Sequence, residues 1–257
     1  MRLNLNADLG ESFGPWAMGD DEHLLKVVDS ANVACGFHAG DPLVMSHTIR
    51  AALEAGVSIG AHPGFADLQG FGRRPMTLPA NELRALVQYQ LAALDGVSRS
   101  QGLAMSHVKP HGALNNMACE DREMADIVVK AVQDYDDALI FLAPVMSQLA
   151  AAASNAGLNT ALEVFADRAY TASGSLVSRR KPGAVLESAT DCIAHVKAMI
   201  EAEGIVTEDG DVLPTAFHSI CVHGDNAHAV DTARQIRDEL LNQGHELLSL
   251  PELMQER

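Results

Sequence analysis

Residues that can transfer protons or carry charge follow most of the apolar runs in this sequence. The candidates for catalysis are carboxylates, imidazoles and one ammonium: Asp8, His62, Lys109, His111, Glu163 and His223. Carboxylates and imidazoles act as general acids and bases when their surroundings bring the pKa close to neutral pH. A lysine held in one position stabilises negative charge that develops on an oxygen. The pattern therefore indicates acid–base chemistry at a site with a fixed positive charge.

The segment 108–114 (VKPHGAL) has the most unusual local sequence in the chain. Lys109 is one of five lysines, and it stands between an apolar run and a Pro-His-Gly turn. One interpretation is a lysine at the start of a helix whose ammonium reaches the surface. We favour the other interpretation, a fixed ammonium at the bottom of a pocket that meets a substrate oxygen.

A second set of residues is suited to binding the polar groups of a substrate: Glu11, Asn32, His38, Arg73, Arg74, Arg168 and Asp225. Arg73 and Arg74 end the sequence GFGRR at residues 70–74, a basic turn flanked by glycine in an acidic chain. Backbone amides and guanidinium groups in such a turn can hold a carboxylate or a phosphate. Arginine pairs in acidic proteins also form surface salt bridges, so both interpretations stay open.

Histidine and aspartate at strand ends also suit a divalent metal ion. The candidate ligands for zinc or a similar ion are Asp8, His38, His62 and His223. These four are far apart in sequence, so their spacing alone leaves the presence of a metal open. Cys35 is a candidate nucleophile beside His38 or His62. A small buried residue is the simpler interpretation of this cysteine.

The sequence contains no G-x-x-x-x-G-K-[ST] motif, the phosphate-binding loop of many nucleotide-binding proteins. If the chain takes part in an ATP-driven reaction, ATP must bind in another way or on a partner protein.

Strands and helices must position these side chains. Along the chain, short apolar runs alternate with longer helical patterns. We predict strands at residues 3–7, 30–34, 57–61, 105–108, 139–142, 160–164 and 219–222, and helices at 20–28, 41–55, 79–101, 121–134, 145–156, 184–203 and 227–243. This alternation is typical of parallel strands joined by crossover helices. It predicts an α/β fold, a single-domain (β/α)7-8 barrel over residues 1–257. The carboxyl ends of the strands of such a barrel meet on one rim, where the candidate residues would converge.

An open, doubly wound sheet is the alternative fold. Its Rossmann form is disfavoured because no G-x-G-x-x-G motif follows the first predicted strand. Residues 167–183 are polar and are predicted to form a long loop, which in a compact domain is more often functional or mobile than decorative.

Composition excludes several classes of function. The chain has 257 residues and a formal net charge of −16, and so acidic a surface repels nucleic acids and anionic lipids. No apolar run is long enough to cross a bilayer, and the first residues lack the pattern of a secretory signal, so a cytoplasmic location is expected. The four cysteines are scattered, which favours free thiols.

Seven sequence blocks, in one order along the chain, resemble the LamB/YcsF family. They are residues 5–11 (LNADLGE), 32–42 (NVACGFHAGDP), 60–65 (GAHPGF), 70–74 (GFGRR), 108–114 (VKPHGAL), 163–170 (EVFADRAY) and 222–225 (VHGD). The resemblance covers nearly the whole chain. It implies a (β/α) barrel of the glycoside hydrolase/deacetylase type.

The resemblance also implies the activity of the A component of a prokaryotic 5-oxoprolinase. Such an enzyme opens the lactam of 5-oxo-L-proline to L-glutamate, coupled to hydrolysis of ATP to ADP and phosphate, and works with B and C subunits. Within that activity Asp8, His62 or His223 would be the acid or base, and Glu163 and Asp225 would orient a histidine or water. Lys109 would meet the oxyanion, and Arg73, Arg74 or Arg168 would hold anionic groups.

Two other functions remain possible from the sequence. One is a metal-dependent, deacetylase-like amidohydrolase that acts alone. The other is a non-catalytic protein that binds a lactam and delivers it to partners. The second is disfavoured because pure binding sites rarely need so many titratable groups.

Overall fold

Seven parallel strands close on themselves at the centre of the structure, a computed structural model that describes residues 1–222 and 229–255. The described residues form ten strands, and the seven of the barrel are β1 to β6 and β9. In chain order the ten are β1 (Arg2–Leu9), β2 (Ser30–Ala34), β3 (Ser58–His62), β4 (Met105–Val108), β5 (Ile140–Pro144), β6 (Thr160–Phe165), β7 (Gly204–Val206), β8 (Val212–Pro214), β9 (Ser219–Val222) and β10 (Glu246–Leu247). Strands β1 to β6 pair in sequence order, β6 pairs with β9, and β9 pairs with β1. The ring of parallel pairs is therefore a closed barrel.

Helices surround the barrel and supply the crossovers that parallel strands require. They are α1 (Asp21–Leu24), α2 (Pro42–Ala55), α3 (Ala80–Ser100), α4 (Gly112–Glu120), α5 (Arg122–Tyr135), α6 (Gln148–Asn155), α7 (Ala189–Glu201), α8 (Ala229–Asn242) and α9 (Leu250–Met254). None of the helices among the described residues has both the length and the apolar composition that a membrane span needs.

Local sequence sets the ends of α2. The Asp41 side chain accepts hydrogen bonds from the backbone N–H groups of Leu43 and Val44, and Pro42 occupies the first turn, a combination that favours a helix start. Gly56 follows the last turn with φ of 70°, a left-handed conformation that glycine adopts without strain.

Strand β1 shows how the barrel separates an apolar wall from a polar interior. Leu3, Leu5, Ala7 and Leu9 alternate with polar residues and belong to the hydrophobic core. Because successive residues of a strand face opposite sides, Asn4, Asn6 and Asp8 lie on the inner face of β1. There Asn6 Nδ2 donates hydrogen bonds to side chains of β9 and β6. Hydrogen-bonded polar side chains therefore fill this part of the barrel interior.

The C-terminal segment closes the end of the barrel where the strands begin. β10 pairs with the start of β1, and Leu250 N–H donates to Ser30 Oγ inside the barrel. Leu250 and Met254 of α9 pack against Ile140 and other apolar residues of β5 and β6. Access to the barrel interior is therefore from the opposite end, at the carboxyl ends of the strands.

The predicted barrel and its seven strands are confirmed. The doubly wound alternative is wrong because β9 pairs with β1 and closes the sheet. Predicted helix 20–28 is shorter than expected, since only residues 21–24 are helical, and the helices predicted at 145–156 and 184–203 begin later. Of the last predicted helix, residues 227–228 lie outside the described residues. Helices α4 and α9 and strands β7, β8 and β10 were not predicted.

Candidate active site

The carboxyl ends of the barrel strands surround a cavity of about 520 Å³. Seven of the residues proposed from the sequence line it: Asp8, Glu11, His62, Arg73, Lys109, His111 and Arg168. Asp8 and His62 lie at the carboxyl ends of strands β1 and β3, and Lys109 directly follows β4. The barrel thus brings together side chains that are up to 160 residues apart, as the strand-end pattern predicted.

Lys109 lies at the base of this cavity and is almost completely buried. Its Nζ is 3.1 Å from Asp8 Oδ1 and 3.1 Å from Glu163 Oε2. It also donates to Asn6 Oδ1 and Cys221 Sγ, each at 3.1 Å. Four partners fix the ammonium in one position between two carboxylates.

The protonation of this group follows from burial and from its neighbours. Burial by itself lowers the pKa of Lys109, but Asp8, Cys221 and Glu163 together raise that pKa well above its ordinary value. Burial raises the pKa of Glu163, and the Lys109 charge opposes this shift. Lys109 is therefore a permanent cation, as an oxyanion-binding role requires.

Glu163 is fully buried, and only one of its two carboxylate oxygens has polar partners among the described residues. Oε2 contacts Lys109 and accepts from Asn6 Nδ2 at 3.3 Å. Oε1 has no hydrogen-bond partner among residues 1–222 and 229–255. The contacts that the structure describes for Glu163 are with Lys109 and Asn6, whereas the sequence predicted that it orients a histidine or water.

Three histidines and one glutamate gather at one side of the cavity. The ligand atoms of Glu11, His38, His62 and His111 all lie within 4.8 Å of one another. The rings of His38 and His111 are stacked, with centroids 3.6 Å apart and planes 7° from parallel. His62 meets both rings edge to face, and its Nε2 is 3.3 Å from Asp8 Oδ2.

Backbone carbonyls fix the tautomers of two of these histidines. His62 Nδ1 lies 2.7 Å from the carbonyl oxygen of Lys109. His111 Nε2 lies 2.9 Å from the carbonyl oxygen of Phe71. A carbonyl oxygen only accepts hydrogen bonds, so each of these nitrogens carries the hydrogen. The remaining nitrogens, His62 Nε2 and His111 Nδ1, face each other at 2.9 Å.

Burial favours the neutral forms of His38, His111 and Glu11. It lowers the pKa of His38 and of His111 well below the ordinary value, and neighbouring histidines add to both shifts. The pKa of Glu11 is raised by burial and by Asp8. In the barrel interior, burial followed by the Lys109 charge lowers the pKa of His107 to about 3. The imidazoles of His38, His107 and His111 are therefore neutral, with lone pairs that can accept a proton or bind an ion.

The arginines differ in their relation to the cavity. Arg73 lines it, with its guanidinium 4.9 Å from the Phe71 ring centroid. Arg168 also lines it and donates to the carbonyls of Val177 and Ala184, which ties the segment after β6 over the cavity. Arg74 points elsewhere and pairs with Asp67.

Other predicted residues lie behind the cavity wall or outside the described structure. Asn32 donates to Asp8 Oδ1 at 3.0 Å, so it supports Asp8. His38 reaches the site through Glu11, whose Oε1 lies 3.1 Å from His38 Nε2. His223 and Asp225 lie outside the described residues.

Sequence reasoning missed three residues that support the site. Asn6 links Lys109, Glu163 and Asn32, and Cys221 contacts Lys109. The Tyr170 hydroxyl accepts from Phe165 N–H and is completely buried. The position of Asn6, two residues before Asp8 on the inward face of β1, was the available signal.

The arrangement can perform acid–base chemistry beside a fixed cation. Asp8 and His62 are in contact at the cavity wall, Lys109 is the cation at the base, and Arg73 and Arg168 offer positive charge at the periphery. A neutral or anionic substrate with a carbonyl group matches this distribution of charge.

The sequence of this chain is similar to those of known proteins. The sequence profile of the LamB/YcsF family matches residues 3–255. A protein of Azoarcus sp. that is named as the A component of 5-oxoprolinase is 57% identical over 253 residues, covering 98% of this chain and 99% of that protein.

Two solved structures resemble this chain to different degrees. A lactam utilization protein from Thermus thermophilus superimposes with a TM-score of 0.91 at 39% identity, covering 97% of this chain and 100% of that chain. The catalytic domain of a peptidoglycan N-acetylglucosamine deacetylase from Eubacterium rectale superimposes with a TM-score of 0.50 at 14% identity, covering 96% and 89% of the two chains. At this identity the second match concerns the fold alone.

Proposed function

The chain belongs to the LamB/YcsF family, and on this premise we propose that it is the A component of a 5-oxoprolinase. The enzyme would open 5-oxo-L-proline to L-glutamate and couple this reaction to hydrolysis of ATP to ADP and phosphate. B and C subunits would complete it. The names of the relatives support this role and its substrate, and the absence of a phosphate-binding loop motif supports a division of work with partners.

The observation that carries the proposal is the Lys109 ammonium, held at the base of the cavity by Asp8 and Glu163. A five-membered lactam is a poor electrophile, and its carbonyl oxygen becomes negative when a nucleophile adds. A permanent cation in a nearly dry site stabilises that oxygen far more than water does. Lys109 therefore suits an amide carbonyl better than it suits simple ligand capture.

ATP activates the lactam in the proposed reaction. The lactam oxygen attacks the γ-phosphorus, and ADP leaves. Water then adds to the activated carbon, the C–N bond breaks as the nitrogen receives a proton, and a γ-glutamyl phosphate results. A second water hydrolyses it to L-glutamate and phosphate.

The side chains of the cavity have matching roles in this sequence. Asp8, whose Oδ2 lies 3.3 Å from His62 Nε2, takes a proton from water and returns one to nitrogen, and His62 fixes the position of this carboxylate. Lys109 meets the lactam oxygen before and after phosphorylation. Arg73 and Arg168 hold the substrate carboxylate or the phosphoryl group.

Reconstitution with the B and C subunits tests the proposal. Release of L-glutamate and phosphate from 5-oxo-L-proline and ATP is measured with and without this chain. Dependence of both products on this chain is expected. Equal turnover in its absence would overturn the assignment, and amide hydrolysis by this chain alone without ATP would replace it with a stand-alone amidohydrolase.

Two variants test the residues. His62→Ala and Lys109→Ala are each expected to lower glutamate formation on the order of a hundredfold. The exposed His47 of α2 supplies the matched control, because His47→Ala should retain full activity. Full activity of both site variants, in protein that is folded by circular dichroism, would remove His62 and Lys109 from the reaction. Tight binding of 5-oxo-L-proline with no effect of either variant on turnover would instead indicate a protein that only delivers the lactam.

A further inference from the structure

Two nitrogens of neighbouring histidines, His62 Nε2 and His111 Nδ1, face each other, and the other nitrogen of each ring is bonded to a backbone carbonyl. His62 gives its Nδ1 hydrogen to Lys109 O, and His111 gives its Nε2 hydrogen to Phe71 O. Their other nitrogens are 2.9 Å apart. When both rings are neutral, two lone pairs meet at hydrogen-bond distance, and this contact is repulsive. An additional positive species between the two nitrogens resolves the conflict.

We propose that Glu11, His62 and His111 bind a divalent transition-metal ion at the wall of the cavity, with His38 orienting Glu11. Two imidazoles and one carboxylate are a common ligand set for Zn²⁺, with a fourth position left for water or substrate. The proposal concerns ion binding by this chain and does not depend on the identity of the substrate.

The distances between the ligand atoms fit one ion. Zn²⁺ with ligands at about 2.0–2.1 Å in tetrahedral geometry separates them by roughly 3.3 Å. His62 Nε2 and His111 Nδ1 are 2.9 Å apart, and Glu11 Oε1 is 3.6 Å from His111 Nδ1. Both distances lie within about 0.4 Å of that separation, and all the ligand atoms of the cluster lie within 4.8 Å of one another.

Ring geometry separates the role of His38 from that of the other histidines. The planes of His38 and His111 are nearly parallel, and their centroids are 3.6 Å apart. A histidine binds a metal in the plane of its ring, so two stacked rings cannot both point a lone pair at one ion. His38 Nε2 instead lies 3.1 Å from Glu11 Oε1, where its N–H group can donate to the carboxylate and fix its position.

Each proposed ligand has the outer partner that metal-binding residues usually have. The Lys109 carbonyl holds His62, the Phe71 carbonyl holds His111, and His38 holds Glu11. Phe71 has φ of 53°, a left-handed conformation that is rare outside glycine. The residue with this unfavourable backbone conformation is therefore the one whose carbonyl fixes the tautomer of His111.

The proposed ligands also border the cavity, so the fourth position would be open to a small molecule. A cation there supplies a Lewis acid for a carbonyl or phosphoryl oxygen. Asp8 lies next to this site, because its Oδ2 is 3.3 Å from His62 Nε2. Its other oxygen is paired with Lys109, and this favours Asp8 as a neighbour of the ion and not as a ligand.

Zinc binding by the full chain tests the proposal. After dialysis against a chelator, Zn²⁺ is titrated by calorimetry, and Co²⁺ is added in parallel because its visible absorption reports tetrahedral coordination. One ion per chain is expected, with a Kd on the order of 1 µM or tighter. His62→Ala and His111→Ala should each weaken binding at least ~100-fold, and His38→Ala by about 10–100-fold, as expected for an outer partner.

Control variants separate this site from other histidines. His47→Ala should bind Zn²⁺ like the parent. His245→Ala is a second control, because the N-terminal amine lies 3.1 Å from His245 Nδ1 and such a pair can hold metal at the surface. Glu11→Gln keeps the size of a partly exposed side chain and should weaken binding without unfolding, so it decides the matter if the histidine variants do not fold.

Two results would overturn the proposal. One is a parent chain that takes up neither Zn²⁺ nor Co²⁺, in which case a proton shared between His62 and His111 resolves the contact. The other is one-to-one binding that persists in His62→Ala, His111→Ala and Glu11→Gln alike. None of these titrations uses 5-oxo-L-proline, ATP or partner proteins, so failure of the metal site leaves the proposed reaction untouched.

Discussion

The ammonium of Lys109 lies 3.1 Å from Glu163 Oε2 in the interior of the barrel, where both side chains are buried. The pair joins β6 to the residue that follows β4, and Asp8 adds a second carboxylate to the same ammonium. Buried ions are stable only when they are paired and hydrogen-bonded. Lys109, the cation that suits an oxyanion-binding role, therefore also stabilises the barrel.

Replacement of Lys109 by methionine should destabilise the fold. Lys109→Met leaves two carboxylates of the barrel without their cation, and removal of one partner of a buried pair typically costs about 3–5 kcal/mol. Urea unfolding at pH 8 measures the loss. Lys130→Met removes an exposed lysine that pairs with Asp134 on the next turn of α5, and it should change stability by only about 0.5 kcal/mol. Equal effects of the two variants would contradict the structural role of Lys109.

The loss in Lys109→Met should shrink as the pH falls. Burial raises the folded-state pKa of Glu163, and Lys109 opposes that shift, so its removal raises the pKa further. The folded protein then binds more protons than the unfolded chain between the two pKa values, and stability falls as pH rises through that window. Urea midpoints measured from pH 8 down to pH 5 should converge on those of the parent. Addition of Glu163→Gln should remove most of this pH dependence.

Arg73 and Arg74 should differ in substrate binding although they are adjacent in sequence. Arg73 lines the cavity, whereas Arg74 is held by Asp67 away from it. Arg73→Ala is expected to raise the KM for 5-oxo-L-proline or for ATP on the order of tenfold, because a charge-assisted hydrogen bond is lost. Arg74→Ala should leave both KM values within about twofold. Steady-state kinetics of the reconstituted enzyme measure the difference, and the reverse order would rule out this orientation of the two side chains.

The cysteines should react slowly with thiol reagents. Burial raises the pKa of Cys35 and of Cys119 to about 12, and Cys192, where neighbouring aspartates add to the effect of burial, also reaches about 12. Burial raises the pKa of Cys221 as well. A thiol with such a pKa is roughly one part in ten thousand thiolate at pH 8, and the thiolate is the reactive form.

Ellman's reagent measures this at pH 8. Native protein should release little colour over minutes, and protein in guanidinium chloride should rapidly show all four thiols. Glutathione serves as the reference for a freely exposed thiol. Fast labelling of Cys35 in folded protein, identified by mass spectrometry, would contradict this prediction and support Cys35 as a nucleophile.

Two glycine substitutions should change stability in opposite directions. A Cβ at Gly60 would lie 2.2 Å from His107 Cδ2, and His107 is held in the barrel by Asn32 and Ser106. Gly60→Ala should therefore destabilise by about 1–3 kcal/mol or more. A Cβ at Gly96 of α3 meets nothing within 4 Å, so Gly96→Ala should stabilise by about 1 kcal/mol. Thermal unfolding of both variants checks the signs, and a neutral Gly60→Ala would mean that His107 can move.

Much of the architecture could be predicted because its causes are local. Alternation of apolar and polar residues marks β1, and Asp41-Pro42 and Gly56 mark the ends of α2. Helix α4 was not predicted because its start lacks the usual signals: the His111 side chain makes no capping hydrogen bond, and the first helical residue is Gly112. Strand β10, of two residues, is too short to show a period.

The sequence by itself determined the class of fold and the set of polar residues on the barrel rim, because residue periodicity and strand-end position follow from backbone geometry. It also carried the blocks that tie the chain to its family. Only the tertiary structure decided which side chains meet. Glu11 and His111 are 100 positions apart in sequence, yet their ligand atoms are 3.6 Å apart, and Arg73 and Arg74 are neighbours that face different surroundings. Such contacts depend on closure of the barrel, on strand register and on rotamers, and these are set by packing across the whole molecule and not by any local segment.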